Sequence, residues 1–206
     1  MTRKPRQARS KASVDAIIEA CFQCVAQDGL QGTSTRQIAE VAGVSVGTLY
    51  EYFPNKEAIF NALAERFVSE TLAMVQPLIP RLVQLPIDEA VYTLLMEFEA
   101  LLRQNDDRYL KCVSGAINTL FQDHLEKFHR ILMELVMQYA MNNTEVLRLR
   151  GFPAMTYIFI NGGIFAVVRH LSDPSPPISY EELARGLANM VGHYVAHEAH
   201  LLAQAG

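Results

Sequence analysis

Residues Ser34 to Phe53, STRQIAEVAGVSVGTLYEYF, leave this chain little choice but two short helices around a tight turn. Ser34 and Thr35 are N-cap residue types, and Ile38, Ala39, Val41 and Ala42 supply a short apolar face behind them. Gly43 stands where the first helix must end, because glycine reaches left-handed backbone angles without a Cβ clash. Val44 is placed to tuck under the turn. Ser45 offers a fresh N-cap, and Val46 to Phe53 reads as a second helix, with Leu49 and Phe53 spaced i, i+4 on its inner face.

Two helices joined at a steep angle by a short glycine-containing turn form a helix-turn-helix unit. The alternative is an ordinary helical hairpin within a bundle. The second helix favours nucleic acid, because Ser45, Val46, Gly47, Thr48, Tyr50 and Tyr52 are small or hydroxylated. Small residues at a helix N-terminus let the backbone approach base edges in a major groove. Valine and threonine methyls meet thymine methyls there, and hydroxyls bond bases or phosphates.

The run TRQIAEVAGVSVGTLYEYFPNKEAIF resembles the DNA-binding domain of the tetracycline-repressor (TetR) family of bacterial regulators. The AGVS turn, the TLYEYF recognition helix and the NKEAIF opening of the next helix all stand at the family's spacing. The likeness begins with the helix before this run and ends at Phe60; beyond it only length and helical pattern agree, so no ligand is named by it. The resemblance implies that Lys56 contacts a phosphate and that Thr35, Arg36, Tyr50 and Tyr52 are further backbone contacts. It leaves Ser45, Val46, Gly47 and Thr48 as the base-facing residues, with Ser34 completing the DNA-binding set. Pro54 breaks the recognition helix and Asn55 caps the next. Lys56 then opposes the dipole of the helix it opens, a local conflict that a bound phosphate would relieve.

The net charge of −4 is unevenly spread. Residues 1–60 carry a net +1 and residues 61–206 a net −5. Arg3, Lys4, Arg6, Arg9 and Lys11 precede the first acid, Asp15, and form an arm suited to phosphate or minor-groove contact, or else a solvated tail. Three cysteines, Cys21, Cys24 and Cys112, are few and odd in number, which suits a reducing cytoplasm. The Cys21-x-x-Cys24 pair lies in an amphipathic helix with no second ligand pair at zinc-finger spacing. The N-terminus has no apolar core of a secretory leader. The longest uncharged run, Gly151 to Val168, contains a proline, an asparagine and paired glycines, and reads as a buried interface helix rather than a membrane span.

The periodicity predicts an all-α chain of about nine helices. An N-terminal three-helix DNA-binding domain, residues 1–55, is joined by a long helix, 56–76, to a helical effector-binding and dimerisation domain within 56–206. Helix 1 is expected over 13–27, ended by Asp28-Gly29, and the first core should hold Ile18, Phe22, Ile38, Ala42, Val44, Leu49 and Phe53. Residues 76–86, with three prolines, read as a bent connector. Further helices are expected over 87–104, 108–120, 122–141, 153–170 and 180–202.

The last two helices are the expected homodimer face: Gly162, Gly163 and Ala166 allow close approach, and Leu183, Leu187, Met190, Val191, Tyr194 and Val195 make a broad apolar surface. Burial within one chain is the alternative. Two recognition helices related by a two-fold axis would read palindromic operator DNA. Phe98, Met133, Met137, Tyr157, Asn161 and Phe165, with Phe159, suit an adaptable apolar pocket for a small effector, although each is individually an ordinary core residue type. His193, His197 and His200 fall at i, i+4, i+7 and read as a polar stripe, so no metal and no cofactor are expected. No converging acid, base and nucleophile and no phosphate loop appear, so an enzyme is not expected. The reading is a cytoplasmic, ligand-responsive transcriptional repressor; a helical interaction module without sequence-specific DNA binding is the rival.

Overall fold

A computed structural model describes residues 4–104, 107, 109–112 and 125–205. These residues are helical apart from turns and connections, and contain nine α-helices: α1 Lys4–Gly32, α2 Thr35–Val41, α3 Val46–Tyr52, α4 Lys56–Val75, α5 Ile79–Leu82, α6 Ile87–Leu102, α7 Leu125–Asn142, α8 Phe152–Ser172 and α9 Tyr180–Ala205. Of the helix expected over 108–120, residues 109–112 are helical and the rest lies outside the described residues. The chain divides into two compact units, residues 1–68 with 103–124, and residues 69–102 with 125–206.

In the first unit α1 starts well before the expected residue 13, so the basic segment from Lys4 onward is helical backbone. Its composition explains this: Pro5 sits near the helix start, where proline is tolerated, and the residues to Ala12 are mostly good helix formers. Gly29 breaks the helical geometry at φ +70°, where Asp28-Gly29 was expected to end the helix. Ile17, Ile18, Cys21, Phe22 and Val25 of α1 are buried with Ile38, Ala39, Leu49, Phe53, Ile59, Leu63 and Phe67. Tyr109, fully buried, sets its ring edge-on to Phe22 at 4.8 Å and tilted against Phe67 at 5.1 Å. Arg66 pairs with Asp15 and ties α4 to α1.

Two expected core positions differ. Ala42 and Val44 are only half-buried, and Val41 is 48% exposed. A helix as short as α2 presents one apolar turn inward, and Ile38 and Ala39 fill it, so the residues around its C-terminus stay at the rim.

In the second unit residues 76–86 are not merely a bend: a 3₁₀ turn over Gln76–Leu78 runs into the single-turn α5. Pro77 and Pro80 occupy first-turn positions, where a missing N–H costs nothing. Helices α6 and α9 pack closely. Arg185 pairs with Glu89 at 2.9 Å while its guanidinium lies 3.5 Å from the Tyr92 ring centroid, and Tyr92 donates to Glu181 at 3.1 Å. Tyr180 is buried and donates to the Leu95 carbonyl at 3.2 Å; burial, then the nearby Glu99 carboxylate, raises its phenol pKa. Helix α8 is long and apolar enough to cross a membrane by length and composition. Expected to be a buried interface helix, it leaves Tyr157, Ile158 and Phe165 exposed in the single chain.

Candidate nucleic-acid interface

The interface grows from one buried polar residue. Thr33 is 2% exposed, and its hydroxyl donates to the Gly29 carbonyl at 2.7 Å, closing the break in α1. Ser34, extended at φ −121°, then caps α2 by accepting from the Gln37 backbone at 3.2 Å. The Gln37 side chain reaches back to Asp28. Helix α2 therefore starts at a point held to the end of α1 by both backbone and side chains.

Its end is fixed by the chain itself. The Val44 N–H donates to the Ala39 carbonyl at 3.0 Å and the Gly43 N–H to the Glu40 carbonyl at 3.1 Å. This is the Schellman pattern, and it needs a left-handed residue, which Gly43 supplies at φ +67°. Ser45 follows at once as the N-cap of α3. Its Oγ accepts from the Thr48 backbone N–H at 3.0 Å and donates to Thr48 Oγ1 at 2.9 Å. One serine thus satisfies a free N–H of the helix start and holds the Thr48 side chain in place.

Leu49 and Phe53 turn inward, so the opposite face of α3 is outward. Ser45 and Gly47 are exposed, Val46 is 39% exposed and Tyr50 48%, while Thr48 and Tyr52 are half-buried. From α2, Ser34 and Arg36 are exposed and Thr35 half-buried. The Thr35 and Tyr50 hydroxyls meet at 3.2 Å and join the start of α2 to the middle of α3. Val41, Val46 and Tyr50 leave large side chains exposed to solvent on this face.

Asn55 caps α4, its Oδ1 accepting from the Ala58 N–H at 2.8 Å. Lys56 follows, half-buried. Its ammonium donates to the Thr33 carbonyl at 3.1 Å and sits 5.4 Å from the Phe60 ring centroid. The lysine at the α4 start therefore braces the segment that opens α2. Sequence reasoning missed this role, and also missed Thr33, whose importance lies in a carbonyl and a hydroxyl that no helical pattern flags.

The six residues expected to surround an effector differ in exposure. Tyr157 and Phe165 are 65% and 70% exposed, Met137 and Asn161 are exposed, and Phe98 and Met133 are half-buried. Asn161 donates to the Tyr157 carbonyl one turn back at 2.8 Å. His193, His197 and His200 are all exposed, and His200 contacts Gln204. Among the described residues no three His, Cys, Asp or Glu side chains are grouped to hold a metal ion. Cys21, Cys24 and Cys112 are buried free thiols, and burial raises the pKa of each, that of Cys112 to about 12.

Residues 17–63 match the family described as bacterial regulatory proteins, tetR family. The HTH-type transcriptional regulator YvdT of Bacillus subtilis is 29% identical over 153 residues, covering 69% of this chain and 73% of YvdT. RutR of Escherichia coli, also an HTH-type transcriptional regulator, is 40% identical over 68 residues, about a third of each chain: 33% of this one and 32% of RutR. Among solved structures, the fatty acid degradation regulator FadR of Bacillus halodurans superposes with a TM-score of 0.69 at 18% identity, covering 93% of this chain and 96% of FadR. At that identity the likeness is one of fold.

Proposed function

Because the chain belongs to the tetR family of bacterial regulatory proteins and is a DNA-binding transcriptional regulator, we propose that it works as a repressor, binding a palindromic operator as a homodimer and leaving it when a small, largely apolar effector binds. The observation that carries the DNA half of this reading is the pair of hydrogen bonds between Ser45 and Thr48, which sets a small, outward, hydroxylated surface at the start of α3. Ser45, Val46, Gly47 and Thr48 face base edges in this reading. Ser34, Thr35, Arg36, Tyr50, Tyr52 and Lys56 contact the sugar-phosphate backbone, and the basic start of α1 adds phosphate contacts.

Residues 1–55 are the DNA-binding part and residues 56–206 the effector and dimerisation part, with α4 as the link. The exposed Tyr157, Ile158 and Phe165 of α8, with Met190 and Leu201 of α9, support self-association through the last two helices. Two half-sites must then lie about one helical turn, ~34–36 Å, or a multiple of it apart, so a modest change in the spacing of the recognition helices releases the operator. The role is regulatory rather than enzymatic, and cytoplasmic.

Selection of bound sequences from a random duplex library tests the reading. The expected outcome is a two-fold-symmetric consensus, bound by a dimer in sedimentation. Recovery of no consensus would favour a helical interaction module, and a single unrepeated half-site would overturn dimeric recognition.

A further inference from the structure

The second unit contains a cleft of about 330 Å³ that none of the six expected effector residues lines. Its walls are apolar: Leu85, Pro86 and Ile87 from the connection into α6, Val146 and Leu149 from the segment between α7 and α8, and Val195 from α9. The size lies at the small end of ligand pockets, which run about 300–1,000 Å³.

Hydrogen bonding on the polar side of this cleft is lopsided. The Tyr139 hydroxyl donates to the Leu85 carbonyl at 2.9 Å. Asn143 Nδ2 donates to the Val83 carbonyl at 3.0 Å and to the Tyr139 carbonyl at 3.1 Å. The side-chain donors of both residues are therefore spent on backbone. What remains toward the cleft is the Asn143 carbonyl oxygen, the Tyr139 lone pairs, the Gln84 amide and the Glu145 carboxylate, so the one charged side chain among the described lining residues is negative. Glu145 is exposed and, at the N-cap of the 3₁₀ turn Val146–Arg148, makes no capping bond. The raised pKa of the Tyr139 phenol, due to burial and then to Asp88 and Glu145, reports the same negative surroundings. The start of α6 borders the cleft, but Asp88 in its first turn offsets the positive end of that helix, while Glu89 is paired with Arg185. Among the described residues no Lys, Arg or His lines the cleft.

We propose that this cleft is a binding site for a small amphiphilic cation, a molecule with an apolar body of about ten heavy atoms and a protonated amine. The body displaces water from Leu85, Ile87, Leu149 and Val195. The ammonium, a donor with no acceptor, pairs with Glu145 and the Asn143 carbonyl oxygen. This goes beyond the apolar effector proposed above, and its test uses no DNA, so it fails or stands independently of the operator reading.

Isothermal titration of the full chain with 2-phenylethylammonium, 2-phenylethanol and 3-phenylpropionate tests it. The ammonium should bind roughly fivefold to tenfold more tightly than the alcohol, and the carboxylate most weakly, with the difference shrinking as salt rises. Glu145→Gln, at an exposed position, should remove the ammonium's advantage, and Ala199→Phe should fill the cleft and remove binding of all three. No binding to the unaltered chain, tightest binding of the carboxylate, an advantage that survives Glu145→Gln, or binding that survives Ala199→Phe would each overturn the proposal.

Discussion

The Lys56 ammonium donates to the carbonyl of Thr33 at 3.1 Å and so joins the start of α4 to the residue that precedes the α2 cap. A lysine has three donors, and this bond uses one. The same side chain is left able to meet a phosphate while it holds the helix-turn-helix against α4. Lys56→Met keeps the apolar stem over Phe60 and removes the charge. It should cost about 1.5–3 kcal/mol of stability in urea unfolding, the range for a hydrogen bond to a charged group. It should also weaken binding to all DNA sequences alike and lower the salt slope by about one. Unchanged stability would show that the bond to Thr33 contributes nothing.

Gly43 gives a second, separable test. A Cβ added there meets nothing within 4 Å, so only the backbone angle, φ +67°, opposes a side chain. Gly43→Ala should destabilise by about 1–2 kcal/mol, and Gly43→Asn by less, because asparagine tolerates the left-handed region. Equal costs for the two would point to packing instead.

Close packing of α6 on α9 turns on Gly192. A Cβ at that position would lie 2.8 Å from Asp88 Cβ, whereas one at Gly186 on the same helix meets nothing. Gly192→Ala should cost about 1–3 kcal/mol by overpacking. Gly186→Ala should be neutral or stabilise by up to about 1 kcal/mol, since alanine restricts the unfolded chain and favours helix. Thermal unfolding of the two variants reads the contrast directly.

Burial of Cys21, Cys24 and Cys112 predicts both reactivity and pH dependence. Their thiols hold their protons in the folded state above the ordinary value of 9.0, Cys112 up to about 12. The native protein should react slowly with a thiol reagent at pH 8, and all three thiols should react on unfolding. The unfolded chain loses these protons first as pH rises. Stability from this source is thus intact below pH 9 and falls from there toward pH 12. Stability that rises over that interval would contradict the burial of the thiols.

The helix-turn-helix was legible because its signals are local. Ser34, Gly43, Ser45 and Asn55 act through backbone angles and bonds that reach three to five residues, and each does what its residue type implies. The inward turn of Leu49 and Phe53 followed from helical spacing for the same reason. Non-local roles were hidden. Nothing in the pattern around Lys56 shows that its ammonium finds the carbonyl of Thr33, 23 residues away. The effector residues were chosen as methionines and aromatics with an occasional polar group on helices of the second domain, which does not say whether a face meets its own chain or solvent, and Tyr157 and Phe165 are exposed. The cleft beside Tyr139 and Asn143 depends on how three separate segments meet, and no single stretch of sequence carries that information.

The most direct measurement is fluorescence anisotropy of duplex DNA taken from upstream of this protein's own gene, with a scrambled duplex as control, titrated with the unaltered chain and with Thr48→Ala at several salt concentrations. The account predicts tight binding of the native duplex at moderate salt, at least a thousandfold tighter than the scrambled one. Thr48→Ala should erase roughly tenfold or more of that preference while leaving the salt slope in place. Equal binding of both duplexes that vanishes together as salt rises, unaffected by Thr48→Ala, would contradict a recognition role for α3 on this DNA and leave only a basic segment touching phosphates.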